Sequence, residues 1–232
     1  MTKPKETDLY EPVKSHFESE GYRVYGEVKG CDLIAQMGKE MTAVELKLSV
    51  SLKLIFQAME RKKTAHYVYV AIPRPKNARN KHYKDSIQLL KALGIGLLTV
   101  ALDSPIKRVN VVSFPTQNRP PNNHKTRAIK KEVEGRSADY NKGGVTKRKI
   151  ITAYRERSIR IAVLLDKHGQ MPLKAFVNDY GEDFSISSIL QRNFYHWFVR
   201  IEKGVYDLSE EGREALSDPQ FKELVTYYRG LV

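Results

Sequence analysis

Apolar residues recur at helical spacing near the start of the chain. Leu9, Val13 and Phe17 form one stripe, Asp8 and Glu11 fit an Asp-x-x-Glu cap in front of it, and Gly21 supplies a stop. The pattern then shortens to strands. Tyr22 to Val28 reads as the first, and two more follow around Asp32 and Glu45, joined by a turn at Met37-Gly38-Lys39-Glu40. Leu52, Ile55, Phe56 and Met59 at i, i+3, i+4 and i+7 give a second helix, over 52–63, an apolar face. Lys53, Gln57 and Arg61 fall on a different, polar face of it. A Tyr/Val-rich strand runs from His66 to Ile72 and ends at Pro73. A basic loop follows, carrying Arg74, Lys76, Arg79, Lys81 and Lys84. Ile87, Leu90 and Leu93 predict another helix, stopped at Gly94, and strands over 97–102 and 109–114 close a first domain, 1–115.

From 116 to 149 the composition changes to Pro, Asn, Gly and basic residues, which predicts a linker, helical in part around Ala128 to Val133. A second domain, 150–232, opens with Ile151, Tyr154, Ile159, Ala162 and Leu165 in a helix ending by Gly169. Helical stretches over 173–180 and 185–194 follow. A strand pair, Phe198 to Glu202 and Val205 to Leu208, turns at Lys203-Gly204, and a last helix runs from Glu210 onward. Three helices followed by a β-hairpin resemble a winged helix-turn-helix.

Charge narrows the choice of partner. The 232 residues carry a formal net charge of +13, which favours a polyanion, nucleic acid before an anionic membrane surface. No apolar run approaches the length of a spanning helix, so no membrane role is expected. The N-terminus is polar and lacks an apolar signal region. Cys31 is the single cysteine, so no internal disulfide forms and a cytoplasmic home is expected. Six histidines show no ligand spacing.

The chemistry-bearing pattern is Asp32 followed, one hairpin later, by Glu45-Leu46-Lys47, all in apolar, strand-forming surroundings where charge is costly to bury without a partner. Along a strand Glu45 and Lys47 share a face, roughly 7 Å apart at about 3.4 Å rise per residue, and Leu46 takes the other. If the turn is a hairpin, Asp32 lies on the neighbouring strand. Two carboxylates and an ammonium then converge where a hard divalent cation can be held. The competing reading is that Glu45 and Lys47 are paired charges on the wet face of an antiparallel sheet.

Asp…Glu-x-Lys on adjacent strands resembles the PD-(D/E)XK phosphodiesterase superfamily of nucleases, with Cys31 where the usual Pro precedes the first Asp. The element order around it, a helix carrying Glu11, three strands, a helix carrying Gln57 and Arg61, and the 66–72 strand, is similar to that superfamily's α-βββ-α-β core. Further along, Gly135 to Gly144, Thr152-Ala153-Tyr154-Arg155 and Leu190 to Phe198 resemble a bacterial family of uncharacterised proteins assigned to the same superfamily. The resemblance implies an α/β, restriction-endonuclease-like core, a mixed sheet flanked by helices, plus a C-terminal winged helix-turn-helix. It implies Asp32 and Glu45 as metal ligands with the Leu46 carbonyl as a third, Lys47 as the group that holds the attacking water or stabilises developing charge, and Mg2+ as the ion, with Mn2+ substituting. In this reading Glu11 reaches the site from helix one, although a capping role competes. Gln57 is carried over as an orienting or phosphate-contacting group, and Arg61 as a phosphate contact.

The remaining expectations concern nucleic acid. Over 185–192 the candidate recognition helix buries Ile186, Ile189 and Leu190 and offers Ser187, Ser188, Gln191 and Arg192 to a groove, with Arg200 and Lys203 on the wing. Gly143-Gly144 with Thr146 to Lys149 reads as a flexible basic linker, or as a phosphate cradle. The expected function is metal-dependent hydrolysis of nucleic acid phosphodiester bonds by a DNA endonuclease. A non-catalytic DNA-binding regulator on a nuclease-like scaffold is the alternative, and RNA as substrate and a homodimer both stay open.

Overall fold

The computed structural model describes residues 4–118, 124–137, 140–141, 150–181, 183 and 185–232. The Gly143-Gly144 stretch lies outside the described residues. The chain divides into two units, Met1–Ile150 and Ile151–Val232.

The first unit is a six-stranded mixed sheet in sequence order. Helix α1 (Thr7–Ser19) precedes β1 (Arg23–Val28), β2 (Cys31–Met37) and β3 (Glu40–Leu46). Then come α2 (Leu52–Lys62), β4 (Tyr67–Pro73), α3 (Lys81–Ala92), β5 (Gly96–Val100) and β6 (Val109–Ser113). The first three strands pair antiparallel, β3, β4 and β5 pair parallel, and β6 returns antiparallel. The parallel pairs need crossovers, and α2 and α3 supply them. On one face α1 buries Leu9, Val13 and Phe17 against Leu33, Val44, Leu46 and Leu98. On the other, Leu54, Ala58 and Leu90 pack on Ile34, Ala43, Val70 and Leu97. Alternation along β3 therefore sends Val44 and Leu46 toward α1 and Ala43 and Glu45 toward α2.

Helix α2 departs from its expected orientation. Leu52 and Phe56 are 72% and 69% exposed and Met59 is exposed as well, whereas Leu54 and Ala58 are fully buried. The face of Gln57 and Arg61 turns inward with them. The segment read as a linker contains the helix expected around 128–133, as α4 (His124–Glu134), but that helix packs into the first unit, with Ile129 and Val133 in the core beneath β1. Its anchor is Arg136, whose side chain is 1% exposed. Arg136 donates to the Gly26 carbonyl at 2.8 Å and the Glu27 carbonyl at 3.1 Å, and pairs with Glu132 Oε1 at 2.9 Å. These bonds occupy carbonyls at the end of β1, an edge strand.

The second unit runs α5 (Ala153–His168), β7 (Met171–Pro172), α6 (Leu173–Asn178), α7 (Ile186–Arg192), β8 (Phe198–Glu202), β9 (Val205–Leu208), α8 (Glu210–Ser217) and α9 (Lys222–Arg229). Its three strands lie in the order β7-β9-β8. The single last helix of the sequence reading is two helices. Pro219 holds Asp218 in extended backbone, φ −65° and ψ 121°, and ends α8. Ile186, Ile189, Leu190, Trp197 and Phe198 are buried. Among the described residues no helix is long and apolar enough to cross a membrane.

Arg136→Ala is expected to cost about 3 kcal/mol, because it removes a buried ion pair to Glu132 and two buried hydrogen bonds to backbone carbonyls. Arg213→Ala, which removes a half-exposed pair to Asp207 at 3.9 Å, is expected to cost under about 0.5 kcal/mol. Urea unfolding followed by circular dichroism measures both.

Candidate active site

The site sits where β2 enters and β3 ends. The β2–β3 register pairs Leu33 with Val44, so one step further Asp32 stands opposite Glu45, both on the α2 face. The turn before Cys31 passes through Gly30, at φ +75°, which a glycine adopts without strain. Cys31 is buried, with its Sγ against the Leu33 carbonyl at 3.3 Å, so the position is filled by a small apolar side chain.

Each charge in the cluster has a specific partner. Asp32 Oδ2 accepts from the Leu46 backbone N–H at 2.8 Å. Glu45, fully buried, takes a 2.6 Å bond from Arg61 Nε on Oε1. Arg61 also donates to the Gly30 carbonyl, tying α2 to the β1–β2 turn. Lys47 Nζ lies 2.7 Å from Glu6 Oε2, and its backbone N–H bonds the Ala71 carbonyl of β4 at 3.0 Å. Glu45 Oε2 is buried with no hydrogen-bond partner, and so is Gln57 Oε1, one helical turn before Arg61. Three carboxylates thus face two cations.

Burial, then the charge of Asp32, lifts the Glu45 carboxyl to about 7, against the pull of Arg61. Burial also raises Asp32, opposed by the Leu46 N–H and by Lys47. The two carboxyls are close enough to share a proton. Burial alone would weaken the charge on Lys47, but Glu6, Asp32 and Glu45 outweigh it and hold the ammonium above its usual range.

The donor set fits a hard divalent ion. An orphaned buried carboxylate oxygen opposite a second carboxylate is a place that a proton or a cation must fill. The Leu46 carbonyl leaves the strand on the same side as the N–H that binds Asp32. Among the described residues no group of three or more His, Cys, Asp and Glu is arranged to hold a metal. A small divalent ion can be held by one or two carboxylates, with water and substrate phosphate completing its shell.

Several expected residues lie elsewhere. Glu11 is exposed on α1, and the carboxylate that α1 sends to the cluster is Glu6, at its N-cap, with no capping bond of its own. Glu6 belongs to no motif, and only the helix start would have pointed to it. Arg61 is turned inward, 19% exposed, onto Glu45 and not outward to solvent. In the second unit Gln191, Arg192, Arg200 and Lys203 are exposed, and Ser187 and Ser188 are half-buried.

Because the Glu45 carboxyl is raised, the folded chain resists an ionisation that the unfolded chain completes at lower pH. The pair therefore contributes stability at acid pH that is lost as pH rises through about 7. In chelator-treated buffer, Asp32→Asn is expected to stabilise the protein by about 1 kcal/mol at pH 8 and to leave it unchanged at pH 5. Thermal unfolding at the two pH values checks this. Equal destabilisation at both would mean that the pair is an asset to the fold.

Comparison with known proteins adds the family. A model of the family described as "Putative PD-(D/E)XK phosphodiesterase (DUF2161)" matches residues 98–215. The match takes in the Gly135–Arg155 and Leu190–Phe198 stretches and begins after the Asp32, Glu45 and Lys47 cluster. No curated protein matches. One solved structure, the SPO1766 protein of unknown function from Silicibacter pomeroyi, is 15% identical, covering 58% of this chain and 84% of its own, with a TM-score of 0.39. Half of the chain falls within the family match, and the chain belongs to that family.

Proposed function

We propose that the protein is a metal-dependent phosphodiesterase that hydrolyses nucleic acid phosphodiester bonds, and that it acts as a DNA endonuclease. The observation that carries this is the buried pair Asp32 and Glu45, with Glu45 Oε2 unpartnered, beside the charged Lys47. Asp32, Glu45 and the Leu46 carbonyl would hold Mg2+, or Mn2+ in its place. A bound ion of this kind polarises a phosphoryl oxygen and supplies a hydroxide-like nucleophile at neutral pH.

The chain's own residues do the rest. Leu46 N–H fixes one Asp32 oxygen and Arg61 fixes one Glu45 oxygen, so the two free oxygens are aimed before any ligand arrives. The Lys47 ammonium meets the negative charge that develops on the phosphate. Gln57 Oε1, buried and unpartnered, is an acceptor able to orient a water.

The second unit is read as a winged helix-turn-helix that contacts DNA. The order α5, β7, α6, α7, β8 and β9 supports this reading, as do exposed Gln191 and Arg192 on α7 and exposed Arg200 and Lys203 on the strand pair. The buried free thiol of Cys31 suits a reducing cytoplasm.

A second reading, a DNA-binding regulator on a nuclease-like scaffold, is favoured by one observation. Lys47 and one oxygen of Glu45 are both engaged in internal ion pairs.

Nicking of supercoiled plasmid with Mg2+ or Mn2+ separates the two readings. Lys47→Ala is expected to lose about 100-fold or more in rate while retaining DNA binding in a mobility-shift assay. Equal nicking by wild type and Lys47→Ala, or metal-independent nicking, would contradict the catalytic reading.

A further inference from the structure

Immediately beyond the Lys47–Ala71 hydrogen bond, a crevice of about 440 Å³ opens at the C-terminal ends of β3 and β4. Leu48 and Val50 from the chain after Lys47, Ile72 at the end of β4 and Tyr83 on α3 form its apolar walls. Asn77, Asn80 and His82 line it with amides and an imidazole. Both asparagine oxygens already accept backbone N–H groups, from Arg79 and His82, at 2.9 Å. Those bonds leave the two Nδ2 groups as donors.

The segment that supplies one wall of the crevice is strongly basic, and its Arg74 and Lys76 line the crevice itself. Residues 74–84 contain five lysines and arginines and no acidic residue. Arg74 is paired with Asp103 and Lys81 with Asp85, whereas Lys76, Arg79 and Lys84 are exposed and have no ion-pair partner among the described residues.

We infer that this crevice seats an unpaired nucleobase next to the scissile phosphate, so that the substrate is a polynucleotide with a single-stranded or splayed segment. The inference deepens the phosphodiesterase reading and rests on it for the position of the scissile bond. Three features argue for the occupant. The volume falls within the roughly 300–1,000 Å³ of small-molecule pockets, whereas a paired base buries its faces and hydrogen-bonding edge in the duplex and cannot enter. Apolar walls with the Tyr83 ring and two side-chain amides match the face and edges of a base, which are accessible only when it is unstacked. Unpaired Lys76 on the lining, with Arg79 and Lys84 further along the same segment, matches the phosphates on either side of it.

The test uses full-length protein in EDTA and fluorescence anisotropy. The probes are labelled oligo(dT) and oligo(U) of about 12 nucleotides and a duplex of equal length. Wild type is expected to bind one or both single strands about tenfold more tightly than duplex. Ser49 lines the crevice and is exposed, so Ser49→Trp fills it without touching the core. That variant is expected to lose the preference and keep its duplex affinity. Lys76→Ala with Arg79→Ala is expected to weaken all three probes and to flatten the salt dependence.

Equal affinity of wild type for single strand and duplex, or an unchanged preference in Ser49→Trp, would overturn the inference. So would a poly-glutamate competitor matching the oligonucleotides. Because binding is read without metal, these outcomes are independent of whether the protein cuts. Nicking that is lost in Lys47→Ala but indifferent to Ser49→Trp would sink the crevice and leave the phosphodiesterase reading standing.

Discussion

Two carboxylates facing each other across the end of an antiparallel ladder, one of them fully buried, constrain much of the first unit. An ion removed from water costs several kcal/mol even after relaxation, and a like charge opposite it adds to that. The fold answers with three devices. Arg61 from α2 takes one Glu45 oxygen, the Leu46 N–H takes one Asp32 oxygen, and Lys47 stands close enough to lower Asp32. What is left unanswered is Glu45 Oε2, and that residual demand is what a cation would meet.

The same constraint accounts for the orientation of α2. An apolar stripe of Leu52, Phe56 and Met59 would ordinarily choose the buried face, at roughly 1.5–3 kcal/mol for each large side chain fully buried. Turning that stripe inward would carry Arg61 away from Glu45 and leave a buried carboxylate without its counter-ion, a loss of about 3–5 kcal/mol. The helix instead buries Leu54 and the small Ala58, which preserves part of the apolar gain while Gln57 and Arg61 reach the sheet. Strand β3 does the remaining positioning. It is antiparallel to β2 on one side, which sets Asp32 opposite Glu45, and parallel to β4 on the other, which fixes the Lys47 backbone on Ala71.

Much of this was legible in the sequence, for reasons that also explain what was not. Alternation in 31–46 and the Met37-Gly38 turn are local signals, and they suffice to bring Asp32, Glu45 and Lys47 to one end of one hairpin. The resemblance of the 135–155 and 190–198 stretches pointed to the family that the comparison with known proteins gives. The face of α2 was misread because periodicity counts apolar residues and does not know that a buried carboxylate across the sheet is waiting for an arginine. Glu6 was missed in favour of Glu11 because the Asp-x-x-Glu pattern draws the helix start two residues late, and the side chain freed by an unused N-cap is the one that reaches Lys47. The 124–136 segment read as a linker because its surface is basic and Pro- and Asn-rich sequence precedes it. Ile129, Val133 and the deeply buried Arg136 are too few to show as a periodic core signal, yet they hold it to β1.

The claim at the centre is that the unpartnered oxygen of Glu45, opposite Asp32, marks where a divalent cation replaces a proton. Calorimetric titration of the metal-free protein with Mn2+ at pH 6, where the raised Glu45 carboxyl is still protonated, repeated in two buffers of different ionisation enthalpy, reads it directly. The account predicts saturable binding that releases about one proton per ion and that Asp32→Asn abolishes. Binding without proton release, or binding unchanged in Asp32→Asn, would contradict it.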